Sequence, residues 1–264
     1  MQRLALTLPT PAENLALDEA LLDEAEEENS AWEFLRIWES PDPFVVLGRA
    51  SRFAEEVNEA ACTARAIPTL RRSSGGAAIV AGPGCLMYAV VLSYQLRPEL
   101  RDIGRAHKFV LSRMAGALQD LDGGRRGVSA PEPSQAGTSD LAIHKKGAGN
   151  LKFSGNSLRA KRTHLLYHGT LLYDFDLSLI ATYLRMPPRQ PAYRDARDHT
   201  DFVTNLTLSR ADLLRAVDAA WPTNGELADW PRARVQKLVS ERYSCDSWNL
   251  DYGLPVSRAH ITGE

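Results

Sequence analysis

The sequence has little of what would place the protein in a membrane, on nucleic acid or in a secretory pathway. Apolar runs such as FVVLG and AVVL are far shorter than the about 20 residues that a membrane-spanning helix needs. The 31 Lys and Arg residues are balanced by 33 Asp and Glu residues, which leaves a formal net charge of −2. The N-terminus lacks the apolar core and the small-residue cleavage site of a signal peptide. We therefore expect a cytoplasmic protein that has neither a membrane nor nucleic acid as its partner.

Cysteine is also scarce. The three cysteines, Cys62, Cys85 and Cys245, are widely spaced, odd in number and form no C-x-x-C pair. This pattern is typical of a reducing compartment and argues against a structural zinc site. Cys85 opens an apolar, strand-like run, and this setting indicates a buried structural cysteine.

The chain has enough apolar residues, 44%, for the core of one large domain. Thr10 and Glu13 have the spacing of a capping box, and Leu17 and Leu21 follow on one helical face, so we predict a first helix here. The segment EVNEAACTARA predicts a short helix, and a longer helix is predicted to end at Gly123.

Strand-like runs come mostly as neighbours. EFLRIW and FVVLG, separated by the turn-forming ESPDP, predict a hairpin. DLAIHKK, LKFSGNSLR and THLLYHGTLLYDF predict a three-stranded meander. Because the strands do not alternate with long helices, we predict an α+β fold with a mostly antiparallel or mixed sheet flanked by helices.

Two long segments are predicted to be loops. Residues 122–137 are rich in Gly, Pro and Ser and predict a mobile loop, and residues 186–201 form a second loop that is rich in Pro and Arg. Ser209 and Asp212 then have capping-box spacing at the start of a helix in the C-terminal part of the chain.

Several familiar nucleotide and metal motifs are missing. No G-x-x-x-x-G-K-[ST] string occurs, so a P-loop is excluded. GAGNLK begins like a dinucleotide-binding fingerprint but has Lys152 where the last glycine belongs. His164 and His168 have the i, i+4 spacing of metal ligands on a helix, but they lie in a strand pattern, where such residues are about 13 Å apart. We predict no metal site at this pair.

The segment RRSSGGAA, residues 71–78, admits two interpretations. The glycines can form an ordinary turn between solvated arginines, or their backbone N–H groups can form an anion-binding nest beside Arg71 or Arg72. KFSGNSLR, residues 152–159, adds a lysine and an arginine on a strand. HGTLLYDFDLS, residues 168–178, adds a glycine that permits close packing. The order and spacing of the three segments favour the anion-binding interpretation.

In this order the segments resemble those of the lipoate–protein ligase A family, within the wider group that includes biotin ligases and octanoyl transferases. The matching segments are NLALDEALL, VVLGRASRFAEEVN, RRSSGGAA, GTSDLAI, KFSGNSLR, HGTLLYDFDLS and FVTNL. The resemblance implies a biotin/lipoate ligase-like catalytic domain that is related to the class II synthetase core. Biotin ligases themselves are disfavoured because their GRGRxGR loop is absent.

The resemblance also implies a reaction. Lipoate and ATP, with Mg²⁺, would form lipoyl-adenylate, and the acyl group would pass to a lysine of a lipoyl carrier domain in a dehydrogenase E2 or a glycine-cleavage H-type protein. Lys152 matches the catalytic position that touches the acyl carbonyl and the α-phosphate. The positions that match the substrate and adenylate pocket are Arg72, Ser74, Gly75, Gly76, Ala77, Asp140, Ser154, Gly155, Arg159, His168 and Gly169.

Some positions depart from the family pattern. Ala77 replaces a third glycine, Ala81 and Gly82 replace a histidine–aspartate pair, and the GPG at 82–84 resembles octanoyl transferases. Those transferases use a cysteine nucleophile, yet residues 129–141 contain no cysteine. Two alternatives to the ligase therefore stay open: an octanoyl or lipoyl transferase that takes its acyl group from an acyl carrier protein, and a lipoate-binding paralogue without activity.

The resemblance finally divides the chain. It implies a catalytic domain over residues 1–206 and a C-terminal helical extension over residues 207–264 that packs on it. No separate accessory domain of about 80 residues is expected after it. We therefore expect adenylation either to need a separate accessory subunit or to proceed without that domain.

Overall fold

The computed structural model describes residues 1–28, 30–123 and 132–252. In chain order the strands are β1 (Gln2–Ala5), β2 (Phe34–Trp38), β3 (Phe44–Leu47), β4 (Thr69–Arg71), β5 (Ile79–Ala81), β6 (Cys85–Ser93), β7 (Pro133–Ala136), β8 (Asp140–Lys145), β9 (Gly149–Ala160) and β10 (His164–Leu172). The helices are α1 (Pro11–Glu28), α2 (Phe53–Glu56), α3 (Glu59–Ala64), α4 (Ile103–Gly123), α5 (Ser178–Tyr183), α6 (His199–Phe202), α7 (Arg210–Ala220), α8 (Arg232–Leu238) and α9 (Asp246–Asn249). Among the described residues, no helix combines the length and the apolar character of a membrane span.

The strands form two sheets. Seven strands form a large sheet in the order β1-β2-β6-β10-β9-β8-β7, and three form a small sheet in the order β4-β3-β5. The β1–β2 and β3–β4 pairs are parallel, and the other neighbouring strands are antiparallel. Helices flank this mixed sheet, which confirms the predicted α+β class.

Helix α1 begins where the sequence predicts. The Thr10 backbone N–H donates to the Glu13 carboxylate at 2.9 Å, and the Glu13 N–H donates to the Thr10 hydroxyl at 3.2 Å, which is the reciprocal pattern of a capping box. Leu17 and Leu21 are buried on the core face. The helix packs on β6 and β10, so its middle turns lie over the strand that carries His168.

Strands β2 and β3 do not form the predicted hairpin. β2 lies between β1 and β6 in the large sheet, and β3 lies between β4 and β5 in the small sheet. Every residue of both strands is buried, so each strand needs neighbours on both edges and cover on both faces. A two-stranded hairpin cannot provide these. The ESPDP turn therefore carries the chain from one sheet to the other.

The predicted meander is confirmed, because β8, β9 and β10 are successive antiparallel neighbours. The loop prediction for residues 122–137 is wrong at its C-terminal end, where β7 pairs with β8. Ser134 and Gln135 of β7 are exposed, so this edge strand shows no alternation of apolar and polar residues. It forms because its backbone pairs with β8. Residues 124–131 of the predicted loop lie outside the described residues.

The large sheet separates two clusters of buried apolar side chains. Alternate residues of β2 and β6 belong to different clusters, as expected for the two faces of a sheet. One cluster contains α1 and the small sheet, together with Tyr243 from the C-terminal part. The other contains α4 and Leu213 and Val217 of α7. The division of the chain at residue 206 stays a prediction.

Candidate functional site

Two adjoining cavities, of about 130 and 410 Å³, lie between the meander, the loop after β4 and the loop after α5. The smaller cavity extends toward α5 and α6, and the larger cavity extends toward α1 and β6. Ala77, Asp140, Lys152 and Gly155 line both cavities, so the cavities meet at these residues.

Lys152 lies at this junction, on β9. Its Nζ is 2.8 Å from Oδ1 of Asp140 on the neighbouring strand β8, and Oδ2 of Asp140 accepts a hydrogen bond of 2.7 Å from the Tyr193 hydroxyl. A Cβ at position 155 would lie 3.0 Å from the Lys152 Nζ, so a glycine there leaves the space that the amine occupies. In the KFSG segment, the amine of Lys152 therefore lies close to the backbone of its own strand at Gly155.

Tyr193 belongs to the Pro- and Arg-rich loop after α5, which the sequence did not connect with Asp140. Burial and the Asp140 carboxylate raise the pKa of the Tyr193 hydroxyl above its ordinary value of 10.0. The hydroxyl therefore stays protonated and donates to the carboxylate. Lys152, Asp140 and Tyr193 form one connected polar group at the meeting point of the cavities.

Arg72 is buried and holds its own loop together. Its guanidinium donates to the carbonyl oxygens of Gly75 and Ala77 at 2.5 and 3.0 Å and to the Ser74 hydroxyl at 3.1 Å. Burial lowers the pKa of Arg72 to about 10. Gly76 has a φ of +85°, a conformation that side chains rarely adopt. Gly76 therefore allows the loop to wrap tightly around the guanidinium.

His168 faces the larger cavity from β10. Its Nε2 lies 2.6 Å from the Ser74 hydroxyl oxygen, and its Nδ1 lies 3.6 Å from Oδ2 of Asp18 on α1. Asp18 is in turn paired with Arg36, whose side chain is fully buried. A continuous set of polar contacts therefore runs from the first helix to the loop that carries Arg72.

The structure brings most of the predicted pocket residues together. Those that line the cavities are Arg72, Gly76, Ala77, Asp140, Lys152, Ser154, Gly155, His168 and Gly169. Ser74 and Gly75 lie behind this lining: Ser74 contacts His168, and the Gly75 carbonyl accepts a hydrogen bond of 2.8 Å from Ser157. Arg159 lies farther along β9 and is not among the residues that line either cavity.

Several side chains at the site were not predicted from the sequence. Glu56 of α2 lines the smaller cavity and accepts a hydrogen bond of 2.7 Å from the backbone N–H of Ala78. Arg185, Arg189 and Arg194 line the smaller cavity as well. The concentration of arginines in residues 186–201 is the signal that could have identified this loop as part of the site.

The cysteines lie away from the cavities. All three are within the described residues, and none lines either cavity. Cys85 is fully buried, and burial together with the nearby Glu39 raises the pKa of its thiol to about 12. This confirms the prediction of a buried structural cysteine. A thiolate at Cys85 is strongly disfavoured at neutral pH.

Within residues 1–28, 30–123 and 132–252, no group of three or more His, Cys, Asp or Glu side chains is arranged to hold a metal ion. His164 is buried, and its Nδ1 lies 2.9 Å from the Thr163 hydroxyl.

Known proteins share both the sequence pattern and the fold. The sequence model of the lipoyl protein ligase A/B catalytic domain family matches residues 10–216 of this chain. Octanoyltransferase LipM of Symbiobacterium thermophilum is 28% identical over 261 residues, with 90% of this chain and 93% of that protein covered. Octanoyltransferase LipM of Brevibacillus brevis is 22% identical over 269 residues, with 91% and 95% covered.

Solved structures of low sequence identity establish the fold. The bi-partite lipoate protein ligase of Thermoplasma acidophilum, analysed with its E2 lipoyl domain, matches with a TM-score of 0.76 and 20% identity, covering 95% of this chain and 96% of that one. A lipoate-protein ligase A bound with ATP matches with a TM-score of 0.70 and 20% identity, covering 95% and 98%.

Proposed function

This chain belongs to the lipoyl protein ligase A/B catalytic domain family, and from that premise we propose that it is an ATP-dependent lipoate–protein ligase. It would activate lipoate or octanoate as the acyl-adenylate and transfer the acyl group to a lysine of a lipoyl carrier domain. The observation that carries the proposal is Lys152, whose side chain lies at the junction of two cavities that no cysteine lines.

The larger cavity suits the acyl chain. Its deep wall includes Leu15, Val46 and Met87, all of which are buried apolar side chains. Removing apolar surface from water contributes about 0.8 kcal/mol for each buried CH₂ group, so a medium-length acyl chain gains substantially from this wall. The carboxyl end of the chain would then lie toward Lys152.

The smaller cavity suits the nucleotide. Ile180, Leu184 and Phe202 supply an apolar wall that a purine base can contact, and the arginines of the loop after α5 supply positive charge. Arg194 stacks over the Phe202 ring, with its guanidinium carbon 4.8 Å from the ring centroid. Cations and apolar surface in one cavity fit a ligand that has both a planar base and phosphates.

Lys152 would act where the two substrates meet. The lipoate carboxylate oxygen attacks the α-phosphorus of ATP, the bond to pyrophosphate breaks, and the ammonium group stabilises negative charge on the phosphoryl oxygens. The neutral amine of the carrier lysine then attacks the acyl carbonyl carbon, the bond to the phosphate of AMP breaks, and the amine releases one proton to solvent as the amide forms. The same ammonium group stabilises the tetrahedral oxyanion, while Asp140 and Tyr193 fix its position.

Magnesium would accompany ATP, and two carboxylates of the smaller cavity's lining would hold it. Asp140 and Glu56 are carboxylates on the cavity lining, and Mg²⁺ in phosphoryl-transfer sites is held by one or two carboxylates together with substrate phosphates. When bound, magnesium would neutralise part of the triphosphate charge. Lys152 and the loop arginines supply the rest of the positive charge from the protein.

The partners follow from the reaction. We propose that the acyl acceptor is a lipoyl domain of a dehydrogenase E2 or a glycine-cleavage H-type protein. This is supported by the structural relative from T. acidophilum, which is described with its E2 lipoyl domain. That relative is also described as bi-partite, so the assay should be run with and without a candidate accessory subunit.

The test supplies ATP, Mg²⁺, lipoate or octanoate and an apo lipoyl domain, and it measures the acyl mass increase by mass spectrometry. The proposal expects modification that depends on ATP. Modification from an octanoyl carrier protein without ATP would assign the transferase activity instead. Tight binding of lipoate without any turnover would assign the inactive paralogue.

The transferase is the second candidate, because both octanoyltransferase relatives align along nearly the whole chain. An acyl-thioester route needs a thiolate at the site. Cys85 is buried and Cys62 is buried with a raised pKa, caused first by burial. A variant with Cys62→Ala, Cys85→Ala and Cys245→Ser separates the candidates, with folding checked by circular dichroism. Retained ATP-dependent activity supports the ligase, and loss of all acyl transfer in a folded variant supports the thiol route.

A further inference from the structure

A chain of buried polar contacts connects the NLALDEALL segment with the wall of the larger cavity. Asp18 and Ser74 are 2% and 1% exposed. Oδ2 of Asp18 lies 3.6 Å from Nδ1 of His168, and the Ser74 hydroxyl oxygen lies 2.6 Å from Nε2 of the same ring. Arg36 contacts Asp18 from the far side and also donates to the Asn14 side-chain oxygen at 2.6 Å. Asp18, Ser74 and Arg36 are buried, and His168 is the member of the set that lines the larger cavity.

The donors and acceptors in this chain define where the protons lie. Asp18 is a carboxylate that can only accept, and its Oδ2 lies 3.6 Å from Nδ1 of His168, within ion-pair range but beyond hydrogen-bond distance. Its negative charge therefore favours a proton on Nδ1. In a neutral imidazole Nε2 is then an acceptor, and the Ser74 hydroxyl donates to it. The oxygen of Ser74 remains free to accept from Nε of Arg72, at 3.1 Å. From Asp18 to Arg72 each of these contacts then joins a donor to an acceptor, whereas the buried Nε of Arg36 has no hydrogen-bond partner among the described residues.

We propose that Asp18 is a positioning residue that acts on the larger cavity through His168. It holds the imidazole as the Nδ1–H tautomer, so that the Ser74 hydroxyl points at Nε2 and the loop around Arg72 keeps its conformation. Where the proposed function puts the acyl chain, the ring then presents carbon atoms and no free N–H group.

The variant Asp18→Asn tests this assignment because it puts an amide donor where the carboxylate acceptor faces Nδ1 of His168. Arg36 donates to position 18, so the side-chain oxygen of the new amide must face Arg36. The amide NH₂ group then faces Nδ1 of His168, which can no longer carry a proton. We expect the imidazole to switch to the Nε2–H tautomer and to donate to Ser74.

The measurement is the ¹⁵N NMR spectrum of the histidine rings in the full chain, with the His168 signals identified by their loss in His168→Gln. The wild type should show the Nδ1–H tautomer, and Asp18→Asn should show Nε2–H. Glu19→Gln is the matched control, because Glu19 is the next buried carboxylate of α1 and contacts Arg242 and Tyr243 instead. It should leave the His168 tautomer unchanged.

Ser74→Ala provides a second variant in case Asp18→Asn does not fold. It removes the partner of Nε2 and keeps Asp18, so the Nδ1–H tautomer should persist. A wild-type imidazolium, a wild-type Nε2–H tautomer, or the same tautomer in the wild type and in Asp18→Asn would each overturn the proposal. A switch in Ser74→Ala or in Glu19→Gln would do the same.

A kinetic measurement connects the tautomer with the site. In Asp18→Asn the buried Ser74 hydroxyl loses its acceptor, so the KM for the acyl substrate should rise about tenfold, as for the loss of one hydrogen bond in a buried network. Glu19→Gln should keep the wild-type KM. This measurement rests on the proposed function, whereas the NMR measurement does not. A wild type without ligase activity but with the expected tautomers would contradict the proposed function and support the role of Asp18.

Discussion

The hydroxyl group of Tyr193 lies 2.7 Å from Oδ2 of Asp140, and Oδ1 of the same carboxylate lies 2.8 Å from Nζ of Lys152. A loop that follows the last strand of the meander therefore contacts the side chain that holds the lysine. Asp140 thus contacts both Tyr193, which belongs to the arginine-rich loop at the smaller cavity, and Lys152 at the junction.

Replacing Tyr193 by phenylalanine should weaken ATP binding without unfolding the protein. The change removes one hydroxyl that donates to a charged acceptor, and such a bond corresponds to about a tenfold change in an equilibrium constant. We expect the KM for ATP to rise about tenfold in steady-state kinetics. Tyr173→Phe is the matched control, since its hydroxyl donates to Glu39 at 2.8 Å and neither residue lines the cavities. Equal effects of the two changes would contradict the assignment.

Replacing Lys152 by alanine should abolish adenylate formation. Removing one group that stabilises developing negative charge typically lowers kcat by about 100-fold or more. The measurement is the ATP–pyrophosphate exchange rate, with folding checked by circular dichroism. Lys161→Ala is the control, because Lys161 forms an ion pair of 2.5 Å with Asp23 and is not among the residues that line the cavities. Activity near that of the wild type in the Lys152 variant would remove this lysine from the mechanism.

Replacing Gly48 by alanine should disturb the loop that wraps Arg72. A Cβ at position 48 would lie 1.8 Å from the carbonyl oxygen of Gly76, so the backbone must shift. Such overpacking destabilises a protein by about 1–3 kcal/mol. In contrast, Gly116→Ala on α4 adds a Cβ that meets nothing within 4 Å apart from the neighbouring backbone of its own helix, and it should stabilise the protein by about 1 kcal/mol. Urea unfolding measures both changes, and a Gly48 variant as stable as the wild type would show that the loop adapts freely.

Replacing Asp18 by asparagine should make stability less sensitive to acid. Burial by itself would raise the pKa of Asp18, but the charge of Arg36 and the contact with His168 outweigh it, so the pKa lies below its ordinary value of 3.8. A carboxylate with a lowered native pKa stabilises the folded state above its unfolded pKa and loses that contribution as the pH falls through the native value. The difference in Tm between the wild type and Asp18→Asn should therefore be largest near neutral pH.

The difference in Tm between the wild type and Asp18→Asn should narrow below about pH 4. Thermal unfolding followed by circular dichroism at pH 7, 5, 4 and 3 measures it, after reversibility has been checked at each pH. A difference that stays constant across this range, or that widens in acid, would contradict a lowered pKa at Asp18.

Much of the fold was predictable because it follows from local patterns. The capping box of Thr10 and Glu13 and the meander from β8 to β10 depend on residues that are close in the chain. The hairpin of β2 and β3 was predicted wrongly for the same reason. A turn sequence indicates that the chain reverses, but only burial on both faces decides which strands become neighbours.

The sequence by itself determined the family and the order of its motifs, because glycines, a strand-borne lysine and an arginine pair at fixed spacing are visible without any fold. Only the tertiary structure decided which side chains contact one another at the site. Tyr193 is 53 residues from Asp140 in the chain, and Asp18 lies on a different element from His168. Such contacts depend on how helices and loops pack across the sheet, and neither periodicity nor spacing along the chain encodes that packing.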